Sequence, residues 1–426
     1  MSELDAQTLV RQIHADSTRL VVAITGGGSR AIADLLEVPG GSKTLLEAVV
    51  PYSPAALNDW LGGTPENSCS ARTARAMAMA AFLRARRLAA LHPEESKGEE
   101  KAIPDSPHPS PLPEGEGIVG RPLPEEQETV GALLAGVGCT ASLVSDRPKL
   151  GAHRIHVAWQ SGSTTATCSL ELAKGRRSRL DEEQVAAGLV LNAVAAACGL
   201  SDRLALGTLP DESPTTTKTE APLPWQDLLV GKTLAARHQN GSVDEVTSGS
   251  GLAIAGRRAI FPGAFNPLHD GHRRMAELAE ANLGLPVEFE ISIENVDKPP
   301  LDFTEMEQRL GQFAAGQTLW FTRAPTFDRK SELFPNTTFI VGADTIRRIA
   351  DPRYYGGDPN AVAAATERIA NRGGRFLVFA RDCDGRCETL SRLILPGALR
   401  QLCTEVPADQ FRLDVSSTAL RQSRDE

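Results

Sequence analysis

The sequence lacks several features that would place it in a specialised class of protein. No stretch approaches about 18 apolar residues free of charge, so we expect no membrane span. Basic residues are not in excess, because 54 acidic side chains stand against 45 basic ones and the net charge is −9. A general nucleic-acid-binding protein would carry a basic face. Residues 1–5 are acidic and lack the basic and apolar regions of a signal peptide. These absences predict a cytoplasmic protein that binds neither membrane nor nucleic acid.

Cysteine is scarce and irregularly spaced. The seven cysteines are odd in number, and no pair has CxxC spacing. The nearest approach is Cys383 and Cys387, which have three residues between them. We therefore expect reduced thiols, with neither a disulfide framework nor a bound structural metal.

The composition is that of an ordinary soluble protein with more than one domain. The chain has 426 residues, of which 41% are hydrophobic and 23% charged. At roughly 100–200 residues per domain, this length predicts two or three domains.

Two segments interrupt the globular pattern. Residues 93–124 are rich in proline, and residues 94–117 hold seven acids against two lysines. We expect this insert to be disordered, as either an inert insertion or a polyproline ligand. Residues 201–251 are rich in Pro, Ser, Thr and Gly around one apolar island at 225–229, and we interpret them as a linker. The predicted domains are then 1–200 and 252–426.

Both predicted domains have the pattern of α/β folds with parallel sheets. In the first, the apolar run 20–24 predicts a buried strand, and a helical pattern follows at 30–37. In the second, the expected elements are strands at 259–261, 338–341 and 376–379 and an alanine-rich helix at 272–283. Strands that alternate with helices predict right-handed βαβ units.

The strongest functional signal lies at residues 261–272, Phe-Pro-Gly-Ala-Phe-Asn-Pro-Leu-His-Asp-Gly-His. The segment joins an expected strand to an expected helix, which is where α/β sheets bind ligands. A glycine at 263 lets the backbone approach a phosphate closely. His269 and His272 are three residues apart at a helix entrance, so both rings and the first free N–H groups can contact one anion. The pattern predicts a triphosphate-binding site.

This segment resembles the nucleotidyltransferase superfamily, in which HxGH follows a GxFxPxH turn. The resemblance covers about residues 258–421 and implies a Rossmann-like fold. It also implies that His269 and His272 are catalytic, and that Gly263, Ala264 and Phe265 bind the nucleotide.

Two further motifs support the same resemblance. Residues 414–421, Asp-Val-Ser-Ser-Thr-Ala-Leu-Arg, look like the family's [IV]-S-[ST]-T-x-[IL]-R signature. Hydroxyls at a helix start with an arginine one turn later form a second phosphate cradle. The residues that this motif assigns to the β- and γ-phosphates of ATP are Ser416, Ser417, Thr418 and Arg421.

Residues 339–345 end a predicted strand in Gly-Ala-Asp. This pattern is similar to that of nicotinate and nicotinamide mononucleotide adenylyltransferases, which implies that Asp344 lies by the ATP ribose. A helix N-cap at Asp344 is a compatible alternative. Lys298 falls where these enzymes carry a basic residue near the phosphates, and a solvated surface lysine is an equal alternative.

The N-terminal domain resembles the C-terminal domain of competence-damage-inducible proteins, which includes nicotinamide-nucleotide amidases. The matching segments are 25–27 (Thr-Gly-Gly), 38–42 (Val-Pro-Gly-Gly-Ser), 49–53 (Val-Val-Pro-Tyr-Ser), 136–140 and 151–157. The family has a hydroxyl nucleophile where this chain has Ala23, and a lysine where it has Leu57. Ser29 lies several residues away from the position of that nucleophile. These departures predict that the domain lacks amidase activity and serves as a nucleotide-binding or homo-oligomerising module.

The resemblance implies adenylyl transfer from ATP to a pyridine mononucleotide, with Mg²⁺ accompanying ATP. Two alternatives stay open. One is a nucleotidyltransferase that acts on another phosphorylated acceptor, and the other is a non-catalytic pyridine-nucleotide-binding protein.

Overall fold

The computed structural model describes residues 4–91, 133–146, 150–247, 254, 256–294, 299–355, 357–383, 386–407 and 410–411. The chain forms two compact units. Unit 1 comprises residues 1–221 and 297–304, and unit 2 comprises 222–296 and 305–426. The predicted insert 93–124 lies outside the described residues.

Unit 1 is an α/β unit with one mixed sheet. Its strands are β1 (Arg19–Thr25), β2 (Leu45–Val49), β3 (Leu134–Ser142), β4 (His153–Ser161), β5 (Thr164–Leu172) and β6 (Thr215–Glu220). Its helices are α1 (Ala6–Ala15), α2 (Arg30–Glu37), α3 (Gly41–Thr44), α4 (Pro54–Leu61), α5 (Ala71–Leu91) and α6 (Arg179–Ala197).

The strand order is β2-β1-β3-β4-β5-β6, and only β2, β1 and β3 are parallel. From β3 to β6 the neighbours are antiparallel, which corrects the expectation of a parallel sheet. The reason is connection length. Two residues join β4 to β5, and a parallel crossover needs a dozen or more. The predicted strand at 20–24 and helix at 30–37 are confirmed as β1 and α2.

Helix α5 packs very closely on β3. A side chain at Gly136 would lie 2.1 Å from the backbone nitrogen of Phe82, and one at Gly138 would lie 2.4 Å from the carbonyl oxygen of Ala74. The glycines at 136 and 138 therefore allow α5 to lie directly against β3. The two glycines of the motif 136–140 are thus explained by helix packing.

Unit 2 is a second α/β unit. Its strands are β7 (Thr233–Gln239), β8 (Ser242–Thr247), β9 (Arg258–Pro262), β10 (Val287–Ser292), β11 (Leu319–Thr322), β12 (Thr337–Gly342), β13 (Arg375–Phe379), β14 (Arg381–Cys383), β15 (Arg386–Glu388) and β16 (Cys403–Glu405). Its helices are α7 (Leu223–Val230), α8 (Asp270–Leu283), α9 (Phe303–Leu310, which begins at the border with unit 1), α10 (Phe327–Leu333), α11 (Ala343–Ile349), α12 (Pro359–Asn371) and α13 (Gly397–Gln401).

The large sheet of unit 2 has the order β16-β13-β12-β9-β10-β11-β7-β8. The six strands from β16 to β11 are parallel, and the β7–β8 hairpin adds to β11 in antiparallel fashion. The chain runs from β9 outward through β10 and β11, then returns to β12 and continues the other way. The strand order therefore reverses between β9 and β12, where doubly wound sheets bind their ligands. The expected strands at 259–261, 338–341 and 376–379 are confirmed as parts of β9, β12 and β13.

The segment 201–251, expected as a linker, instead carries regular structure. Thr215–Glu220 is an edge strand of unit 1, and α7, β7 and β8 belong to unit 2. The apolar island 225–229 docks as expected, because Trp225, Leu228 and Leu229 are buried in α7. The edge strand Thr-Thr-Thr-Lys-Thr-Glu has no apolar alternation, since backbone hydrogen bonds hold it and most of its side chains are exposed.

None of the described helices combines the length and hydropathy that crossing a bilayer requires. Within the described ranges, no three His, Cys, Asp or Glu side chains are grouped so as to hold a metal ion.

Candidate functional site

The loop after β9 is tightly packed around Phe265. The backbone of Phe265 has φ of 43°, a conformation that is strained for a residue other than glycine. The Phe265 ring is buried and makes edge-on contacts with Phe261 and Phe289. A side chain at Gly263 would lie 2.6 Å from that ring. Glycine at 263 is thus required by the folded-back aromatic ring.

Two residues that the sequence analysis did not single out hold this loop in place. Arg309 of α9 donates from Nη1 to the carbonyl oxygen of Ala264 at 2.7 Å. Gln312 donates to the carbonyl of Phe265 at 2.9 Å and accepts from the N–H of Leu268 at 2.7 Å. Arg309 and Gln312 are 44 or more residues from the loop groups that they bind, so no local sequence pattern could have revealed these contacts.

The two histidines lie together at the start of α8. His269 is the N-cap residue, and the ring centroids of His269 and His272 are 3.7 Å apart with the planes 22° from parallel. The backbone N–H of His269 donates to Nδ1 of His272 at 3.3 Å. A neutral ring that accepts at Nδ1 carries its proton on Nε2. His272 therefore presents an Nε2–H donor.

Both rings are neutral at physiological pH. Burial, with the neighbouring charges of His269 and Arg381, lowers the pKa of His272 to about 3. Burial and then the charge of Arg381 lower the pKa of His269, partly opposed by Asp270. Nδ1 of His269 is buried and has no hydrogen-bond partner in the described part of the chain. The pair thus offers neutral polar groups at a helix N-terminus, which is a suitable environment for a phosphate.

Asp344 follows the neighbouring strand β12 and is 7% exposed. Its Oδ2 accepts from Nη2 of Arg348 and from Nη1 of Arg381, both at 3.0 Å. Its Oδ1 has no hydrogen-bond partner among the residues described. The N-cap of α11 is Gly342, so the expected alternative of Asp344 as the cap is wrong. A side chain at Gly342 would lie 2.5 Å from Oδ1, so glycine there leaves room for the carboxylate.

Arg381 connects the two halves of this site. The same guanidinium that binds Asp344 is close enough to lower the pKa of both histidines. Beside Asp344 lies a cleft of about 440 Å³. Its charged lining consists of four arginines and two aspartates: Arg347, Arg348, Arg353, Arg381, Asp344 and Asp351. An electropositive cleft at the switch point can bind an anionic ligand.

The structure thus brings His269, His272 and Asp344 to one edge of the sheet, with the loop 263–265 beside the histidines. Five further predicted residues lie outside the described residues: Lys298, Ser416, Ser417, Thr418 and Arg421.

The positions that would carry amidase chemistry in unit 1 are part of an apolar core. Ala23 is 0% exposed and Leu57 is 3% exposed, and both belong to one cluster with Val21, Trp60 and Met77. Ala23 and Leu57 therefore supply neither a hydroxyl nor an amine at the positions where the resemblance places the nucleophile and the lysine.

The glycine-rich loop of unit 1 is already occupied by a carboxylate of the same chain. Glu183 of α6 accepts from the N–H groups of Gly28 at 2.9 Å and Arg30 at 3.3 Å, and from the Ser29 hydroxyl at 3.1 Å. The Ser29 hydroxyl is therefore held by the same carboxylate that fills the loop. An internal carboxylate satisfies the donors that a bound phosphate would use.

Comparison with known proteins found similarity to a protein sequence and to a solved structure. No family model matches the chain. The chain is 27% identical over 194 residues to a protein named probable nicotinate-nucleotide adenylyltransferase from Rhizobium meliloti (strain 1021). The aligned region covers 39% of this chain and 97% of that protein. The name of this relative agrees with the resemblance of residues 258–421.

A solved structure with similarity to this chain is the competence/damage inducible protein CihA from Agrobacterium tumefaciens. It is 17% identical, with a TM-score of 0.29, and the match covers 47% of this chain and all of that one. A TM-score this low does not establish a shared fold.

Proposed function

We propose that unit 2 transfers the adenylyl group of ATP to the 5′-phosphate of a pyridine mononucleotide. The observation that carries the proposal is the stacked, neutral pair His269 and His272 at the N-terminus of α8, at the reversal point of a doubly wound sheet. Arg381 lies close enough to affect both rings. The distant relative named as an adenylyltransferase supports the same chemistry.

The proposed reaction is a single displacement at the α-phosphorus of ATP. An oxygen of the acceptor phosphate forms a bond to the α-phosphorus, and the bond from that phosphorus to the bridging oxygen breaks. Pyrophosphate leaves with the electron pair. The acceptor is already an anion, so no general base has to remove a proton. Catalysis then consists of positioning and of stabilising the charge on the transferred group.

The residues of this chain fit those two tasks. The Nε2–H of His272 can donate to an oxygen of the α-phosphate as charge builds on it. The strained, braced loop 263–268 fixes where the phosphate chain can lie. The unpartnered Oδ1 of Asp344 is a suitable acceptor for a ribose hydroxyl.

Mg²⁺ enters this proposal as part of the substrate, bound to the phosphates of ATP. Mg²⁺ keeps most of its water ligands and needs few protein carboxylates. That requirement fits a site in which Asp344 is the buried carboxylate. In the proposal, Ser416, Ser417, Thr418 and Arg421 hold the β- and γ-phosphates, and Lys298 contacts a phosphate.

For unit 1 we propose a role without hydrolysis. The buried Ala23 and Leu57 and the Glu183 carboxylate in the glycine-rich loop support this proposal. In this proposal, unit 1 binds a nucleotide ligand or mediates homo-oligomerisation.

The experiment incubates the full chain with ATP, Mg²⁺ and each of three acceptors: nicotinate mononucleotide, nicotinamide mononucleotide and phosphopantetheine. Pyrophosphate and dinucleotide are measured. We expect dinucleotide from a pyridine mononucleotide. Product from phosphopantetheine alone would move the proposal to another acceptor class. Binding of mononucleotide without pyrophosphate release would leave only a binding protein.

A further inference from the structure

One face of the unit 1 sheet carries polar side chains that the proposed chemistry does not use. Arg154 and His156 are two residues apart on β4, and Ser169 lies opposite His156 on β5. Because side chains alternate along a strand, all three lie on the same face as Ala158, which packs against α5. We call Arg154, His156 and Ser169 the β4–β5 cluster. Each of them is half-buried, so a small ligand can reach the cluster.

His156 and Ser169 form a neutral pair of hydrogen-bonding groups. Nδ1 of His156 lies 2.7 Å from Oγ of Ser169. Burial, and then the positive charge of Arg154, lower the pKa of His156 to about 4, so the ring is neutral at pH 7. If Nδ1 donates, the hydroxyl proton remains for another acceptor, and if Nδ1 accepts, the proton on Nε2 remains. In either tautomer the pair therefore keeps one donor for a ligand.

Arg154 supplies the charge of the cluster. Within the described residues it has no ion-pair partner, and its buried Nε has no hydrogen-bond partner. Glu171 is its cross-strand neighbour on β5, but that side chain is exposed and does not pair with it. A partly buried guanidinium is incompletely solvated by water and gains from a bound anion.

The N-terminus of α5 lies beside the same cluster. Thr140 is opposite His156 on β3, and its hydroxyl donates to the carbonyl oxygen of Ser68 at 2.6 Å. Sγ of Cys69 is 3.8 Å from the carbonyl oxygen of Arg154. These contacts place the residues directly before α5 on the cluster. Because α5 has 21 residues, the positive end of a long helix dipole adds to the charge of Arg154.

From these contacts we infer that the β4–β5 cluster binds a phosphate group, either as free phosphate or as the phosphate of a nucleotide. Arg154 supplies a guanidinium fork, the His156–Ser169 pair a neutral donor and the helix N-terminus a positive potential. The glycine-rich loop does not compete for this role, because Glu183 already accepts from its donors. The inference rests on the ligand-binding role proposed for unit 1 and does not depend on adenylyl transfer by unit 2.

The test uses Cys69 as a reporter, because its thiol lies beside Arg154, whereas the half-buried Cys168 lies on the opposite face of the sheet. The full chain is alkylated with iodoacetamide at increasing concentrations of inorganic phosphate or AMP and at constant ionic strength. Peptide mass spectrometry follows each thiol. We expect both ligands to slow the modification of Cys69 and to leave that of Cys168 unchanged. Equal half-protection concentrations identify free phosphate as the ligand, and a lower one for AMP identifies a nucleotide.

Variants connect the protection to the cluster. Arg154→Gln should raise the half-protection concentration about tenfold or more, because a hydrogen bond to a charged group is lost. Ser169→Ala should raise it by about two- to tenfold, since a neutral hydrogen bond is lost. Arg176→Gln is the matched control, because it removes the same charge from an exposed position of unit 1 and should change nothing. Thermal melts of the wild-type protein and the three variants check that the fold is retained.

Three results would overturn the inference. They are a wild-type Cys69 that neither ligand protects, an unchanged half-protection concentration in Arg154→Gln, and a loss in Arg176→Gln as large as that in Arg154→Gln. A unit 1 that forms homo-oligomers while Cys69 stays unprotected would agree with the other role proposed for it, so the two failures are distinct. Absence of dinucleotide synthesis would contradict the function proposed for unit 2 and leave this site in place.

Discussion

At the scale of single residues, the proposed chemistry depends on the protonation state of His272. Its Nδ1 accepts a backbone hydrogen bond and its pKa is about 3, so the ring is a neutral donor at Nε2. A neutral donor does not attract the ground-state triphosphate strongly. Its hydrogen bond strengthens as charge develops on the transferred phosphate.

We therefore expect His272→Ala to lower turnover by about 10²–10³-fold with a much smaller change in the KM for ATP. Steady-state kinetics measure both quantities. Arg421→Ala is the comparison, since a contact to the β- and γ-phosphates present before and during reaction should raise the KM instead. Near wild-type turnover in His272→Ala would remove the catalytic role.

The pH dependence of turnover follows from the same pKa. A group with a pKa of about 3 stays deprotonated from pH 5 to 8, so turnover should not fall as the pH rises through 6.5. An essential imidazolium would give such a fall. A pH profile of kcat at saturating ATP distinguishes the two cases.

Ala23 in unit 1 gives a second residue-scale prediction. Ala23→Ser should not produce ammonia from nicotinamide mononucleotide, because the hydroxyl would enter an apolar cluster that includes Leu57. It should lower the free energy of unfolding by about 1–3 kcal/mol through burial of an unsatisfied hydroxyl. Ammonia assays and urea titration measure the two effects.

The exposed Ala55→Ser in α4 is the control, with an expected loss of about 0.5 kcal/mol from helix propensity. Clear ammonia release by the wild-type protein or by Ala23→Ser would contradict the proposed loss of hydrolysis.

At the scale of elements, β10 and α10 are joined by a buried ion pair. Nζ of Lys330 lies 2.7 Å from both carboxylate oxygens of Glu290 and 2.7 Å from the carbonyl oxygen of Ala324. Glu290 is 0% exposed and Lys330 is 5% exposed. Removing one partner of such a pair leaves the other as an uncompensated buried charge, which costs more than the intact pair contributes to stability.

Lys330→Met should therefore lower the free energy of unfolding by about 3–5 kcal/mol, because Glu290 would remain as a buried charge without its cation. The double variant Lys330→Met with Glu290→Gln should lose much less, since the amide can still accept from the Thr322 hydroxyl. Denaturant titrations of the wild-type protein, the two single variants and the double variant give the coupling free energy between Lys330 and Glu290. Equal losses in the single and double variants would show that the charge is not the cause.

At the scale of the whole molecule, buried histidines make stability depend on pH. Burial lowers the pKa of His156 and of His238 to about 4, and that of His272 to about 3. The unfolded chain, with histidine pKa values of about 6.5, binds more protons than the folded chain between those limits. Stability should be unaffected by these groups above about pH 6.5 and should fall as the pH drops from 6.5 towards 4.

The slope approaches about 1.4 kcal/mol per pH unit for each histidine within that window. His238→Gln should reduce this slope by the contribution of one histidine, because glutamine does not titrate. The fold should be retained, because a glutamine oxygen can still accept from Nε1–H of Trp225, as Nε2 of His238 does at 2.7 Å. Urea titrations at several pH values test this. An unchanged slope in His238→Gln would mean that this ring titrates normally in the folded protein.

Local sequence alone determined the elements whose pattern is set by neighbours along the chain. The buried strands at 20–24, 259–261, 338–341 and 376–379 are mostly apolar runs with a glycine or proline within two residues of one end. HxGH marks the helix start at His269. The motif also located the proposed phosphate site, because strand, turn and helix N-terminus are consecutive in the chain.

Only the tertiary structure decided the features that depend on distant partners. These features are the mixed sheet of unit 1, the edge strand Thr215–Glu220, the brace of Arg309 on the loop, the carboxylate of Glu183 in the glycine-rich loop and the hydrogen bond from Arg381 to Asp344. Each joins residues far apart in sequence. Sequence periodicity reports which face of an element is apolar. It carries no information about which remote polar group completes a hydrogen bond, because that is set by how strands are ordered and helices are packed.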